Sequence, residues 1–177
     1  MLASVMPAMH SFTKALFPTP IGSMLVVTDA RDRVRAIDWV EYEARMHRLL
    51  RLHYGAGGVT LTERAAPRSV KEPLDAYFAG DLGAIETLLV ETRGTELQRT
   101  VWAALRAIPV GETLSYGALA AKIARPSAVR AVGHANGANP VGVVVPCHRV
   151  IGANGSLTGY AGGIERKRWL LTHEGVS

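Results

Sequence analysis

The apolar pattern of this chain changes character once, near Thr92–Thr95, and divides the 177 residues into two parts that must fold differently. Before the change, strand-like and helical stretches are interleaved. After it, three helical stretches follow one another and give way to a glycine-punctuated loop. This arrangement predicts an α+β fold with one domain over 1–92 and a second, mostly helical domain over 93–177.

In the first part, Thr19-Pro20-Ile21-Gly22 reads as a turn, and Ser23–Asp29 and Val34–Val40 read as the strands of a hairpin. Over Ala44–Tyr54 the apolar residues Met46, Leu49 and Leu50 recur at helical spacing, with Arg and His on the opposite face. Gly55-Ala56-Gly57-Gly58 ends that helix. Ser69 is placed to cap a second one, with Glu72 completing a capping box, and the helix runs to Tyr77-Phe78 and stops at Gly80. No convergent polar groups stand out in this half, so its expected role is structural.

In the second part, Glu96–Ile108 places Leu97, Val101, Trp102, Leu105 and Ile108 on one helical face, and Pro109-Val110-Gly111-Glu112 breaks it. Ser115 then caps Tyr116–Ala124, Arg125-Pro126-Ser127 forms a tight turn, and Ser127 caps Ala128–Ala135. Two short helices joined by a three-residue turn describe a helix-turn-helix. The second of them, from Ala128 and Val129 through Gly133, carries small side chains apart from Arg130, so a groove or a backbone can approach it closely.

Cys147 is the only cysteine. That excludes an intrachain disulfide and any zinc site built on two or more thiolates. The six His are scattered, without an H-E-x-x-H pair. No metal or cofactor is expected. Val143-Val144-Val145 reads as a buried strand stopped by Pro146, which leaves the thiol where a strand exits the core. His148 and Arg149 follow, and such neighbours favour the nucleophilic thiolate. A lone thiol otherwise serves as a small buried hydrophobe. Glu174 ends a helix over Ile164–His173, where a carboxylate opposes the macrodipole and needs either solvent or a partner.

A hydrophobic content of 48% with 20% charged residues excludes intrinsic disorder, and a net charge of +5 suits a polyanionic partner. Met1–Met9 lacks the basic n-region of a signal peptide, and no apolar run approaches the ~18 residues of a membrane span. A cytoplasmic monomer without a membrane association is the expectation.

Asn139-Pro140, Pro146-Cys147-His148-Arg149-Val150, Gly159-Tyr160-Ala161-Gly162-Gly163 and Trp169-Leu170-Leu171-Thr172-His173-Glu174-Gly175 together resemble the O6-alkylguanine-DNA alkyltransferase family, closest to its constitutive bacterial form. The similarity covers Gly94 to Gly175 in order and extends more weakly to Tyr77-Phe78-Ala79-Gly80. The resemblance implies a ribonuclease-H-like N-terminal domain and a C-terminal domain that carries the helix-turn-helix and the active site. It implies repair of alkylated double-stranded DNA by irreversible, single-turnover transfer of the alkyl group from guanine O6, or thymine O4, to the protein's own cysteine.

Carried over residue by residue, Cys147 matches the acceptor, His148 the base that deprotonates it through a water, and Glu174 the carboxylate that orients this His. Asn139 matches the side chain that ties the active-site turn together. Tyr116 matches a hydroxyl that donates to the departing base and crowds a phosphate. Arg130 matches the finger that fills the stack vacated by a flipped base, since O6 is inaccessible within the duplex. The Cys147 and Val150 carbonyls match acceptors for the guanine amine, and Tyr160, Ala161 and Gly162 the pocket. Animal-type relatives carry a serine whose hydroxyl contacts O6 where this chain has Ala161, so O6 loses a donor. Two other classes stand beside this reading. Alkyltransferase-like DNA-binding modules replace the reactive cysteine, which is present here. A cysteine hydrolase would need a remote His, and none of His10, His47, His53, His134 and His173 sits in a base motif.

Overall fold

A computed structural model describes residues 9–177; the region read for a signal peptide falls on residues outside the described ones, apart from Met9. The first half holds a four-stranded sheet, β1 (His10–Thr19), β2 (Gly22–Thr28), β3 (Val34–Trp39) and β4 (Val59–Glu63), with α1 (Glu43–Tyr54) and α2 (Arg68–Phe78). The strand order is β3-β2-β1-β4, antiparallel except for the parallel β1–β4 pair. The hairpin expected from the sequence is β2–β3. Strands β1 and β4 escape the pattern because β1 contains Lys14 and Pro18 and β4 is a short, half-exposed edge.

Strand alternation explains the layering. Leu25, Val27 and Ala36 face one way and bury against Met46, Leu50 and Tyr54 of α1. Met24, Val26, Ile37 and Trp39 face the other way, into a larger core shared with α2 and with the second half of the chain. Helix α2 departs from expectation at its start. Pro67 precedes Arg68 and supplies a carbonyl but no side-chain cap, while Ser69 donates to Asp32 at 2.9 Å and Glu72 pairs with Arg68. The Ser69–Glu72 capping box does not form.

The second half comprises α3 (Glu96–Arg106), β5 (Leu114–Ser115), α4 (Tyr116–Lys122), α5 (Val129–Gly137), β6 (Val150–Ile151) and α6 (Ile164–His173). The architecture is thus mixed α+β. A reciprocal capping box between Thr95 and Gln98 starts α3, a device worth about 1 kcal/mol. The Trp102 indole then donates to the Ala135 carbonyl at 2.8 Å and ties α3 to α5. Ser115 caps α4 as expected, accepting from the Ala118 amide. Ser127 does not cap α5. The chain closes that corner through its backbone instead, Ala128 N donating to Arg125 O, and the helix begins one residue late at Val129.

Candidate active site

Residues 139–149 form a backbone knot and not the buried strand that the valines suggest. Val144 N donates to Gly142 O at 2.8 Å around Val143, whose φ of 69° is rare for a β-branched residue. Such a conformation costs about 1–3 kcal/mol and persists only where surroundings impose it. Asn139 imposes it from inside, its Nδ2 donating to Val145 O at 2.8 Å and its Oδ1 accepting from Val141 N at 2.9 Å. Pro146, at φ −82° and ψ 65°, makes a second tight turn in which Cys147 N donates to Val145 O. The thiol therefore sits on a short 3₁₀ turn, Cys147–Arg149, and not at a strand end. His148 follows on the same turn.

His148 is fully buried, and its Nε2 lies 2.8 Å from Glu174 Oε1. Arg149 donates Nε to Glu174 Oε2 and Nη2 to Oε1, each at 2.9 Å, and the Tyr77 hydroxyl donates to Oε1 at 2.8 Å. His148 and Arg149 hold the Glu174 carboxyl well below the usual range against the opposing effect of burial. An ionised carboxylate only accepts, so Nε2 carries the His148 proton and Nδ1 carries the lone pair. Burial also lowers His148 itself and keeps the ring neutral. Nδ1 is buried without a hydrogen-bond partner among the described residues. Burial pushes the Cys147 thiol up, outweighing Asn139, Lys167 and Arg45, so the resting group is a thiol despite its cationic neighbours. A thiol in this state would act as a nucleophile only with the help of a base.

One cavity joins Cys147 to Asn139, Tyr160, Ala161 and Gly162 and to Trp39 and Arg45 of the first half. Its free volume is about 20 Å³, room for a water-sized guest. Gly162 is required by close approach: a Cβ there would lie 2.5 Å from Trp39 Nε1 and 2.7 Å from the Tyr160 ring. Lys167, fully buried, donates to the Val150 and Thr158 carbonyls and occupies one acceptor site of Val150. The first half is therefore not merely structural, since it supplies Tyr77, Trp39 and Arg45. Of these, only Tyr77 carried a sequence signal, the Tyr77-Phe78-Ala79-Gly80 block.

Tyr116, on α4, packs over Gly133 of α5 and donates to Thr158 O at 3.3 Å, bridging α5 to the loop that walls the cavity. Val132, Ala135 and Asn136 bury one face of α5, while Val129 and Arg130 are exposed and Ala128 is its N-cap. Arg130, Gly133, His134 and Gly137 line an open groove of about 580 Å³ whose far wall is Arg45 and Arg48 of α1. No carboxylate lines it, and Arg45 and Gly137 belong to both groove and cavity. Among the described residues no cluster of His, Cys, Asp and Glu could hold a metal ion, and no helix is long and apolar enough to cross a membrane.

Comparison with known proteins places this geometry. The family model described as "6-O-methylguanine DNA methyltransferase, DNA binding domain" matches residues 96–176. A methylated-DNA–protein-cysteine methyltransferase of Salmonella typhimurium is 55% identical over 157 residues, 89% of this chain and 92% of that protein. One from Methanosarcina acetivorans is 43% identical, covering 91% and 97%. The crystal structure of the Mycobacterium tuberculosis O6-methylguanine methyltransferase superposes with a TM-score of 0.75 at 39% identity, covering 92% of each chain. A structure of the same organism's OGT in complex with DNA gives 0.74.

Proposed function

This chain belongs to the 6-O-methylguanine-DNA methyltransferase family, and from that premise we propose how its residues perform the family's reaction. It is a methylated-DNA–protein-cysteine methyltransferase that repairs DNA by transferring the alkyl group directly to its own cysteine. Cys147 is the acceptor. It is the only thiol in the chain and faces the cavity that Tyr160, Ala161 and Gly162 wall.

The observation that carries the mechanism is the Glu174–His148 hydrogen bond, which fixes the tautomer that leaves Nδ1 free to accept a proton. Through a bridging water, Nδ1 takes the Cys147 proton as the sulfur attacks the alkyl carbon. The C–O6 bond breaks and its electron pair leaves with guanine, while Tyr116 donates to the departing base. Asn139 holds the turn that aims the sulfur, and the Cys147 and Val150 carbonyls face the guanine amine. This follows the nucleophile–base–orienter logic of hydrolytic triads without their turnover, because a thioether has no tendency to leave. Each molecule acts once.

On this reading the base is flipped, and the cavity widens to take a purine, with the exposed 153–156 stretch of the adjacent loop free to give way. The α4–α5 pair acts as a helix-turn-helix, with Arg130 filling the vacated stack and Ala128, Val129, Gly133 and Tyr116 against the DNA. The first half reads as a ribonuclease-H-like domain over 1–92 and the second, 93–177, as the DNA-binding and active-site domain, the whole acting as a cytoplasmic monomer. Incubation with a duplex containing one O6-methylguanine, followed by intact-mass measurement, tests the proposal. The protein should gain a single methyl and Cys147→Ser none; more than one repair event per molecule would sink it.

A further inference from the structure

Two residues that line the Cys147 cavity each bury a polar atom without a hydrogen-bond partner among the described residues, the donor Arg45 Nη1 and the acceptor Asn136 Oδ1. Orphaned buried polar groups are rare enough to require an explanation, and a polar guest supplies one. Arg45 is held rigidly. Its Nε donates to Asp38 Oδ2 at 2.9 Å and its Nη2 to Asp38 Oδ1 at 2.7 Å, and Asp38 is itself buried. Those two bonds occupy the Nε–Nη2 edge of the guanidinium and leave Nη1 unpaired on a residue that lines the cavity. Ala161, on the same cavity, has no hydroxyl to offer.

We propose that Arg45 is a catalytic residue of the alkyl transfer, its Nη1–H donating to the guanine O6 in the cavity that Arg45 lines together with Cys147 and Ala161. The inference rests on Cys147 being the alkyl acceptor. In the transfer, sulfur forms a bond to the alkyl carbon, the carbon–O6 bond breaks, and the electron pair is left on O6 and the guanine ring. The thiol proton goes through the water to His148, and the guanine anion takes a proton on a ring nitrogen from the Tyr116 hydroxyl, which the proton held by His148 replaces by way of solvent. Arg45 keeps its own proton and stabilises the oxygen that becomes anionic, an interaction stronger in the transition state than in the bound substrate.

The test uses the full-length protein and free O6-benzylguanine, which needs no flipping. Arg45→Lys retains a cation for Asp38 but has no second donor arm, and should slow the reaction on the order of 100-fold. Iodoacetamide, which carries no O6, reports on the thiol alone and should react with the variant within about twofold of the parent rate, because Arg45 is one of several charges acting on that thiol. Adding Ala161→Ser to Arg45→Lys should recover a large part of the lost rate by restoring a donor. Equal losses toward both reagents would mean that Arg45 acts on the sulfur, and an unchanged benzylguanine rate would mean it does nothing there. Either result overturns the proposal. Cys147→Ser in parallel separates this from a failure of the acceptor assignment: a benzyl mass on that variant would refute the acceptor and leave Arg45 without its premise.

Discussion

Ile37 and Val141 pair as a parallel bridge: Ile37 N donates to Pro140 O at 3.0 Å, and Gly142 N donates to Ile37 O at 3.1 Å. Ile37 lies on β3, the edge strand of the sheet, and Val141 lies in the knot that presents Cys147. The bridge covers an otherwise open edge and fixes the knot to the most deeply buried strand of the first half. Residues more than a hundred positions apart in sequence thus set one turn.

The four hydrogen bonds donated to Glu174 give the first expectation. Glu174→Gln should slow alkylation of Cys147 by roughly 100-fold, since a correctly oriented base contributes 10²–10⁴. DNA binding should change little, because Glu174 is buried. The variant should also lose about 3–5 kcal/mol of stability, as Arg149 is left buried without its counter-charge. Single-turnover kinetics and denaturant unfolding measure the two separately. A parent-like rate in a folded Glu174→Gln protein would refute the relay.

Tyr77→Phe removes one donor from Glu174 Oε1 and leaves the ring packing intact. With fewer competitors the carboxylate binds the His148 proton more strongly, so the acid limb of the rate–pH profile should move to higher pH, by about half a unit to one unit. If the limb stays in place, Tyr77 is only a packing residue.

The Cys147 thiol should titrate above its ordinary value of 9.0, because burial outweighs the neighbours that favour the thiolate. Thiolate absorbance followed against pH checks this directly. A midpoint near neutrality would show a resting thiolate and remove the need for His148.

Stability should fall on acidification. His148 has a folded pKa below 6.5, so below that pH the unfolded chain takes a proton that the native one refuses. Glu174 has a folded pKa below 4.5, and its contribution is present above that value and lost as pH falls toward the folded one. Both effects have the same sign, so the thermal midpoint should decline steadily from about pH 7 to pH 4. A flat or rising midpoint over that window would contradict the burial and ion pairing described.

Arg130→Ala should slow repair in duplex DNA on the order of tenfold, equivalent to about 1.4 kcal/mol, by leaving the vacated stack unfilled. Reaction with free O6-benzylguanine should be unchanged, since Arg130 is exposed on α5 and lines the groove and not the Cys147 cavity. Equal losses with both substrates would place Arg130 in the pocket.

Local chemistry made some of this legible in the sequence. The β2–β3 hairpin, α1, α3 and α6 follow from apolar spacing and turn residues that act within a few positions, and the Cys147–Glu174 motif block stands in one contiguous stretch. What the tertiary structure decided depends on distant backbone. The valines before Pro146 have strand propensity, yet Asn139 and the β3 edge force them into a knot with Val143 at positive φ. Ser69 and Ser127 have capping chemistry, yet Pro67 and the Arg125–Ala128 turn set the helix starts. Cationic neighbours along the chain suggest a thiolate, but the protonation of Cys147 follows from the desolvation of its pocket, which no local pattern encodes. Tyr77, Trp39 and Arg45 reach the site only because the sheet and the second half bury one shared apolar core, and that packing brings the first half's polar groups to the cysteine.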